Sequence, residues 1–394
     1  MGNNTQQAAL DIEEKWIAHD FPEQRTFNET YGFAGSHGRV HVEGILMRPR
    51  NRPSRTLLFF MHPTTPMDVL PVPRALLAMG FHVLCGRNRY FRSDPVVIFE
   101  KLLLDFGAWI RYAKERLGYE RVVIVGWSGG GPLAAFYQAQ AERPTIVDTP
   151  AGDPVDVAGA RLIPGDALIF QAASVSRARI LVEALDPSIR DELDPDQRDA
   201  RLDPYKTPRP TFPPPFLQEY RAAQYARMRR ITAWVESTLH ELKRRGGKEM
   251  ERGFVVHRTM ADPRYLDPMV DPNDRRPYWC LSGEPETANT GPVGFARFST
   301  LRSWLSQWSI DHSRADATSS VANLNVPFLA IENSADDGAP AEHMKEVAAA
   351  CRSPDKEYAV VHRANHYYAG QPELLLEACE ITRRFLQKRR LCDI

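Results

Sequence analysis

The chain has 394 residues, enough for one large α/β domain with an insertion or for two domains, so size does not limit the fold class. Lys and Arg together number 50, as do Asp and Glu, and this balance gives no electrostatic reason to expect a nucleic acid or an anionic membrane as partner. Its five cysteines form no Cys-x-x-Cys pair, which argues against a disulfide framework or a zinc site. The first residues lack the features of a secretion signal, and no apolar run approaches the roughly 20 residues that span a bilayer. We therefore expect a cytoplasmic protein with free thiols and a small, neutral partner.

The first half of the chain reads as a sheet edge followed by alternating strands and helices. Residues 8–20 have helical spacing of apolar side chains and predict a short surface helix. Alternation over 40–46, after a glycine-rich break at 35–38, predicts an antiparallel hairpin at the edge of a sheet. Apolar runs then predict buried strands at 56–61, 81–85, 121–127 and 167–172, with helices at about 69–79 and 96–117. Such alternation predicts a mostly parallel sheet covered by helices.

The alternation of strands and helices is interrupted by a long insertion at 174–323, which we expect to form a mainly helical cap. The core domain would then comprise 1–173 and 324–394. Two amphipathic segments of the insertion, about 216–245 and 294–308, carry aromatic residues and predict an aromatic underside. If these aromatic residues are exposed, a homodimer is one of the alternatives for the oligomeric state. The core resumes with predicted strands at 326–333 and 357–361 and predicted helices at about 341–350 and 372–389.

A glycine-rich turn marks the end of the strand at 121–127, where the sequence reads Gly126-Trp127-Ser128-Gly129-Gly130. A side chain at the tip of a strand-to-helix turn sits on strained backbone, and only small residues two before and two after it allow the flanking segments to approach. Gly126 and Gly130 occupy those positions, so we interpret Ser128 as a nucleophile. The N–H of Gly129, at the start of the helix, is then expected to stabilise an oxyanion.

Two further residues follow late strands of the predicted sheet: Asp336 and His366. The carboxyl ends of parallel strands share one edge, where sites form in open α/β sheets. A serine hydroxyl needs an imidazole to take its proton, and the imidazole needs a carboxylate to orient it. The sequence therefore predicts a catalytic triad of Ser128, Asp336 and His366. The alternatives are Asp337 for the acid and His343 or His362 for the base.

The turn at 126–130, called the elbow below, is followed along the chain first by the acid and then by the histidine. In this order the chain resembles the α/β-hydrolase superfamily, over about 30–172 and 324–390. The resemblance implies an eight-stranded, mostly parallel sheet flanked by helices, with the insertion as a lid. It favours Asp336 over Asp337, because the acid loop of the family often places proline four residues after the acid, as Pro340 is here. It also implies that the loop His62-Pro63-Thr64 supplies the second oxyanion donor, the Thr64 N–H. Pro63 departs from the usual glycine.

Aromatic side chains near these positions predict an apolar pocket, so a hydrophobic or aromatic substrate fits better than a sugar or peptide. The residues expected to contact the substrate are His62, Trp127, Tyr90, Tyr220, Trp234 and Tyr367. Three arginines at 87, 89 and 92 lie near the same edge, where they either attract an anionic group or are simply solvated or paired.

The function expected from these residues is a cofactor-free, metal-free serine hydrolase, esterase-like or lactonase-like, that forms an acyl-enzyme. The same residues also suit cleavage of a carbon–carbon bond in a diketone or hydrolysis of an amide. A third interpretation, of another class, is a catalytically silent protein that binds a hydrophobic ligand.

Overall fold

The structure, a computed structural model, describes residues 10–23 and 38–392. The strands are β1 Ile12–Pro22, β2 Arg39–Pro49, β3 Thr56–Phe60, β4 His82–Gly86, β5 Arg121–Trp127, β6 Ala167–Gln171, β7 Ile189–Asp191, β8 Asp194–Arg198, β9 Gly253–Val255, β10 Phe298–Thr300, β11 Phe328–Asn333 and β12 Lys356–Val361. The helices are α1 Pro71–Ala78, α2 Phe99–Glu115, α3 Gly130–Glu142, α4 Arg177–Ala184, α5 Pro214–Arg245, α6 Pro263–Leu266, α7 Pro285–Thr290, α8 Leu301–Ser303, α9 Ala317–Val321, α10 Ala341–Ala350 and α11 Pro372–Lys388. A π-helical turn, Trp304–Trp308, continues α8. Each helix in the described ranges is too short or too polar to cross a membrane.

Eight strands form the central sheet in the order β1-β2-β4-β3-β5-β6-β11-β12. The pairs β1–β2 and β2–β4 are antiparallel, and all the other neighbours are parallel. The predicted fold class, a mostly parallel eight-stranded sheet flanked by helices, is confirmed. Because β5, β11 and β12 run in the same direction, the segments that follow them begin at the same edge of the sheet.

The inner strands are buried on both faces, as their continuous apolar runs require. Along β5, Val122 and Ile124 pack against the layer that contains α2 and α3, whereas Val123 and Val125 pack against the layer that contains α1 and α11. Each such side chain contributes about 1.5–3 kcal/mol when fully buried. The ends of β5, β11 and β12, which carry the candidate site, are thus fixed between two packed layers.

The prediction of a helix at 8–20 is wrong. Residues 12–20 belong to β1, which pairs with β2 along its whole length from Ile12 opposite Pro49 to Pro22 opposite Arg39, whereas residues 8 and 9 lie outside the described residues. Only one β1 side chain, Ile17, is fully buried, and the charged residues beside it are exposed or partly exposed, as an edge strand allows. β1 and β2 thus form an antiparallel pair at the sheet edge, but the first arm of the hairpin expected within 26–48 lies outside the described residues. Its glycine-rich break at 35–38 lies outside the described residues except for Gly38.

The segment between β6 and β11 contains the long helix α5, close to its predicted range of 216–245. The second amphipathic segment, predicted at 294–308, is helical only from Leu301, because its first part forms β10 against β9. Side chains of α4, α5 and the π-helical turn form a separate apolar core that includes Leu181, Ile231 and Trp304.

Buried polar contacts join this segment to the sheet domain. Ser306 Oγ accepts the N–H of Phe99 at 2.8 Å and donates to the Glu100 carboxylate at 2.7 Å. On the other side, His343 Nε2 lies 3.0 Å from a carboxylate oxygen of Glu183. Burial raises the pKa of Glu100 to about 7. The insertion is thus packed on the core through specific buried partners.

Candidate active site

The turn between β5 and α3 has the tight geometry that the sequence predicts. Ser128 has φ +54°, in the left-handed region that non-glycine residues rarely adopt. A Cβ added at Gly126 would lie 2.7 Å from the Cα of Gly131, and one at Gly130 would lie 2.8 Å from the carbonyl oxygen of Met61. The glycines at these positions therefore allow the approach that lifts Ser128 to the tip of the turn.

Ser128, His366 and Asp336 form a hydrogen-bonded series at the shared strand edge. The Oγ of Ser128 lies 3.0 Å from Nε2 of His366. On the opposite side of the ring, Nδ1 lies 2.8 and 3.0 Å from the two carboxylate oxygens of Asp336. His366 and Asp336 are buried and Ser128 is partly exposed. With a proton on Nδ1 held by the carboxylate, Nε2 is left to accept the serine proton.

Geometry favours Asp336 over its neighbour as the partner of His366. One oxygen of Asp336 also accepts the N–H groups of Gly338 at 2.8 Å and Ala339 at 2.6 Å, which fixes the carboxylate. Within the described residues, no hydrogen bond joins the Asp337 carboxylate to the His366 ring. Burial, together with the charge of Asp336, raises the pKa of Asp337.

The two other histidines considered as bases are placed elsewhere. His343 lies on α10 and is paired with Glu183, and His362 follows β12 with an exposed side chain. His366 is the histidine that meets Ser128.

The oxyanion side of the site differs from the expectation. Gly129 lies at the start of α3, and its N–H has no acceptor in the part of the chain that the structure describes. The N–H of Thr64, predicted as the second donor, instead donates to Nδ1 of His62 at 3.1 Å. The same ring nitrogen also accepts the N–H of Thr65 at 2.9 Å, so the His62 ring lies over the amides that follow Pro63. The N–H of Thr64 is therefore engaged within its own loop and is not free to meet an oxyanion.

Three of the predicted substrate contacts surround the series. The Trp127 ring lies 4.4 Å from the His366 ring, and the Tyr367 ring lies 4.9 Å from His366 and 5.2 Å from Trp127. His62 lies against the elbow, with its ring 6.4 Å from that of Trp127. A crevice beside His366, too narrow to hold a water molecule, is lined by Trp127, Tyr367 and apolar residues that include Leu70. The surroundings of the series are thus largely apolar.

The other three predicted contacts have packing roles instead. Tyr220 is buried inside the insertion, where its hydroxyl donates to the Ala261 carbonyl at 2.9 Å. Trp234 is 43% exposed and packs on Phe254, with 5.1 Å between the rings. Tyr90 is buried in the core layer that contains α2. Aromatic residues at helical spacing serve packing more often than binding, and the sequence does not distinguish the two roles.

Two of the three arginines near the same edge are paired with carboxylates, whereas the third, Arg92, is exposed and lies over the Phe91 ring. Arg89 is fully buried and contacts the Asp105 carboxylate at 2.7 Å and the Glu23 carboxylate at 2.6 Å. Arg87 lies 3.4 Å from Asp68. Their charges are therefore used within the fold, as the simpler interpretation of the sequence has it.

Sequence analysis missed several polar residues that position the site. The hydroxyl of Tyr368 donates to Asn333 and accepts from the Gln171 amide, both at 2.8 Å, and so ties the His366 loop to the ends of β11 and β6. The amide of Asn88 donates to the carbonyls of His62 and Pro63, both at 2.9 Å. A signal was available for one of them, because Gln171 is a polar residue at the last position of the otherwise apolar strand β6.

A cavity of about 670 Å³ is lined mainly by β1, α2 and the loop after α3. None of the residues of the series lines it. Cavity size therefore gives no indication of where a substrate binds, and the hydrogen-bonded series remains the site that chemistry indicates.

Solved structures share this architecture over nearly the whole chain. DcsB, solved in complex with its substrate analogue, matches with a TM-score of 0.52 at 10% sequence identity, covering 95% of this chain and 99% of that one. GrgF, an alpha/beta hydrolase from Penicillium sp. sh18, matches with a TM-score of 0.50 at 12% identity, covering 95% and 98%. The chain has the α/β-hydrolase fold. At such low identity the likeness establishes the fold alone. No family model and no curated protein sequence gives a significant match.

Proposed function

We propose that this α/β-hydrolase-fold protein is a serine hydrolase that cleaves an ester or lactone of a hydrophobic or aromatic small molecule. The observation that carries the proposal is the hydrogen-bonded series from Ser128 through His366 to Asp336, in which the two distances to the imidazole nitrogens are 3.0 and 2.8 Å. A nucleophile within hydrogen-bond reach of a base, with the base oriented by a carboxylate, is the arrangement required for acyl transfer.

In the proposed reaction, His366 Nε2 takes the proton of Ser128 as its Oγ attacks the carbonyl carbon. The Asp336 carboxylate holds Nδ1–H and stabilises the imidazolium that forms. The tetrahedral intermediate places its negative oxygen near the N–H of Gly129, which has no acceptor in the described structure. Collapse of the intermediate expels the alcohol, which receives the proton from His366. Water, deprotonated by the same nitrogen, then attacks the acyl group and releases the acid and free Ser128.

The surroundings of Ser128 support an apolar substrate. Trp127 and Tyr367 stand beside the base, and the apolar side chains of Met67 and Leu70 lie near His366. The insertion at 174–323 reaches this edge, because the N–H of Leu281 donates to the Asp337 carbonyl at 2.7 Å. We propose that it acts as a cap over the site and shapes the acyl and alcohol subsites.

Replacement of the nucleophile tests the proposal. Ser128→Ala is expected to lower kcat on a short aryl ester by about 10⁴-fold or more, since the remaining groups cannot form an acyl-enzyme. Ser319→Ala, at an exposed serine on α9, is the matched control and should keep full activity. Retained hydrolysis by pure Ser128→Ala protein would overturn the proposal. A panel of aryl esters, macrocyclic lactones, aryl amides and vinylogous diketones, assayed with one preparation, identifies the bond that is cleaved.

A further inference from the structure

The His62 ring meets the elbow end-on. A Cβ built on Gly129 would lie 2.9 Å from His62 Nε2, but 3.5 Å from Cε1 and 3.8 Å from Cδ2, so Nε2 is the ring atom nearest to that residue. A Cβ lies only about 2.5 Å from the nitrogen of its own residue, given standard backbone dimensions. Nε2 of His62 and the nitrogen of Gly129 are therefore within about 5.5 Å of each other. Two donors at that spacing can both reach one oxygen atom that lies about 3 Å from each.

The hydrogen bonds of the ring fix its tautomer. Nδ1 of His62 accepts two backbone N–H groups, from Thr64 at 3.1 Å and from Thr65 at 2.9 Å. A nitrogen that accepts hydrogen bonds carries no proton, so the proton of the neutral ring resides on Nε2. Burial lowers the pKa of His62 well below its ordinary value, and the positive charge of Arg177 lowers it further. The ring is therefore neutral, with a single donor that faces the elbow.

This donor is available to a ligand. Within residues 10–23 and 38–392, Nε2 of His62 has no hydrogen-bond acceptor, and the same holds for the N–H of Gly129. The carbonyls of His62 and Pro63 both accept from Asn88, which holds the backbone below the ring. The ring is thus held in place from two sides with its N–H unused.

We propose that His62 is a catalytic residue, whose Nε2–H is the second oxyanion donor beside the Gly129 N–H. The inference rests on the proposed function and deepens it: a side chain takes the role that sequence reasoning gave to the Thr64 amide. The proton stays on Nε2 throughout the reaction, because His366 performs the proton transfers. His62 acts as a neutral hydrogen-bond donor, which a preorganised oxyanion site requires.

Two isosteric substitutions separate the donor role from a purely structural one. In His62→Asn, the side-chain oxygen can occupy the position of Nδ1 and accept from the Thr64 and Thr65 amides, but nothing reaches the position of Nε2. In His62→Gln, the side-chain nitrogen reaches the position of Nε2, but the acceptor for the two amides is lost. If His62 is a donor, His62→Asn lowers kcat on an aryl ester by about 10²–10³-fold with KM changed less than about threefold, and His62→Gln recovers most of that loss. Equal losses in both variants, or the reverse order, would overturn the proposal.

A spectroscopic measurement tests the same inference without turnover. In protein labelled with ¹⁵N-histidine, the signal absent from His62→Asn belongs to His62. It is expected to show the Nε2–H tautomer, unchanged between about pH 5.5 and 8, and to shift downfield when an aryl boronic acid adds to Ser128. An Nδ1–H tautomer, or titration in this range, would overturn the donor assignment. If wild-type activity depends on Ser128 but not on His62, only this inference fails. If Ser128→Ala retains activity, the proposed function itself fails.

Discussion

Substitution of Asp336 by asparagine tests how the structure orients His366. One carboxylate oxygen of Asp336 accepts three N–H groups, those of Gly338, Ala339 and His366 Nδ1. In Asp336→Asn, the side-chain oxygen must still face the two loop amides, because an NH₂ group cannot accept from them. The NH₂ group then replaces the second oxygen, 3.0 Å from Nδ1 of His366, where a protonated Nδ1 would bring two N–H groups into opposition. This favours the tautomer with the ring proton on Nε2, the atom that has to receive the proton of Ser128.

The wrong tautomer is expected to lower kcat by about 10⁴-fold, the order seen when a triad carboxylate becomes an amide. At about 1.36 kcal/mol per factor of ten, this is about 5.5 kcal/mol of transition-state stabilisation. KM should change little, because Asp336 is buried behind His366 and does not face the substrate. Steady-state kinetics on an aryl ester measures both parameters, and thermal unfolding checks that the variant is folded.

The adjacent acid provides a matched control. Asp337→Asn removes a carboxylate of the same size one residue away, whose hydrogen bonds do not include the His366 ring within the described residues. Its kcat should stay within about tenfold of the wild-type value, because no tautomer is altered. The reasoning would be refuted if Asp336→Asn kept more than about a tenth of the wild-type kcat, or if Asp337→Asn were the variant that lost activity.

Three further predictions concern stability and reactivity. Gly126→Ala should destabilise the fold by about 1–3 kcal/mol in urea unfolding, since the added Cβ would lie 2.7 Å from the Cα of Gly131; an unchanged midpoint would contradict the tight elbow. Burial raises the pKa of Glu100 from 4.5 to about 7, so between these values the folded state keeps a proton that the unfolded chain releases. The stability that protonated Glu100 contributes is therefore fully present below about pH 4.5 and is lost as the pH rises through about 7. Glu100→Gln should therefore remove a fall of about 3 kcal/mol in unfolding free energy over that window; an equal slope in both proteins would argue against a buried, protonated Glu100. Burial also raises the pKa of Cys379 to about 12, so iodoacetamide at pH 8 should leave this thiol unmodified in the folded protein and alkylate it in urea, as peptide mass spectrometry can show; rapid alkylation of the native protein would be the opposite result.

The buried strands could be predicted from the sequence because burial on two faces constrains composition locally. The run at 56–61 corresponds to β3 and the run at 326–333 to β11, each within two residues. The elbow could also be predicted from the sequence, because the backbone segments on either side of Ser128 come so close together that only glycine fits at Gly126 and Gly130. In both cases the physical requirement lies within a few consecutive residues.

Features that depend on distant partners could not be predicted in the same way. The apolar spacing of residues 8–20 suits a helix, yet residues 12–22 form β1 because β2, whose paired residues lie 17 to 37 positions further along the chain, pairs with them. Tyr220 and Trp234 share the composition of pocket residues, and only the packing of α5 shows one inside the insertion and the other facing solvent. The hydrogen bond from Thr64 to His62 likewise depends on a ring orientation that no sequence pattern specifies.

The most direct test of the account is labelling of the native protein with a fluorophosphonate, followed by intact-mass and peptide mass spectrometry. A serine activated by His366 should react stoichiometrically, with one adduct per chain located on Ser128 and no adduct on Ser128→Ala protein. Absence of labelling in folded protein, or an adduct on another residue, would contradict the central claim and favour a protein that binds a hydrophobic ligand without cleaving it.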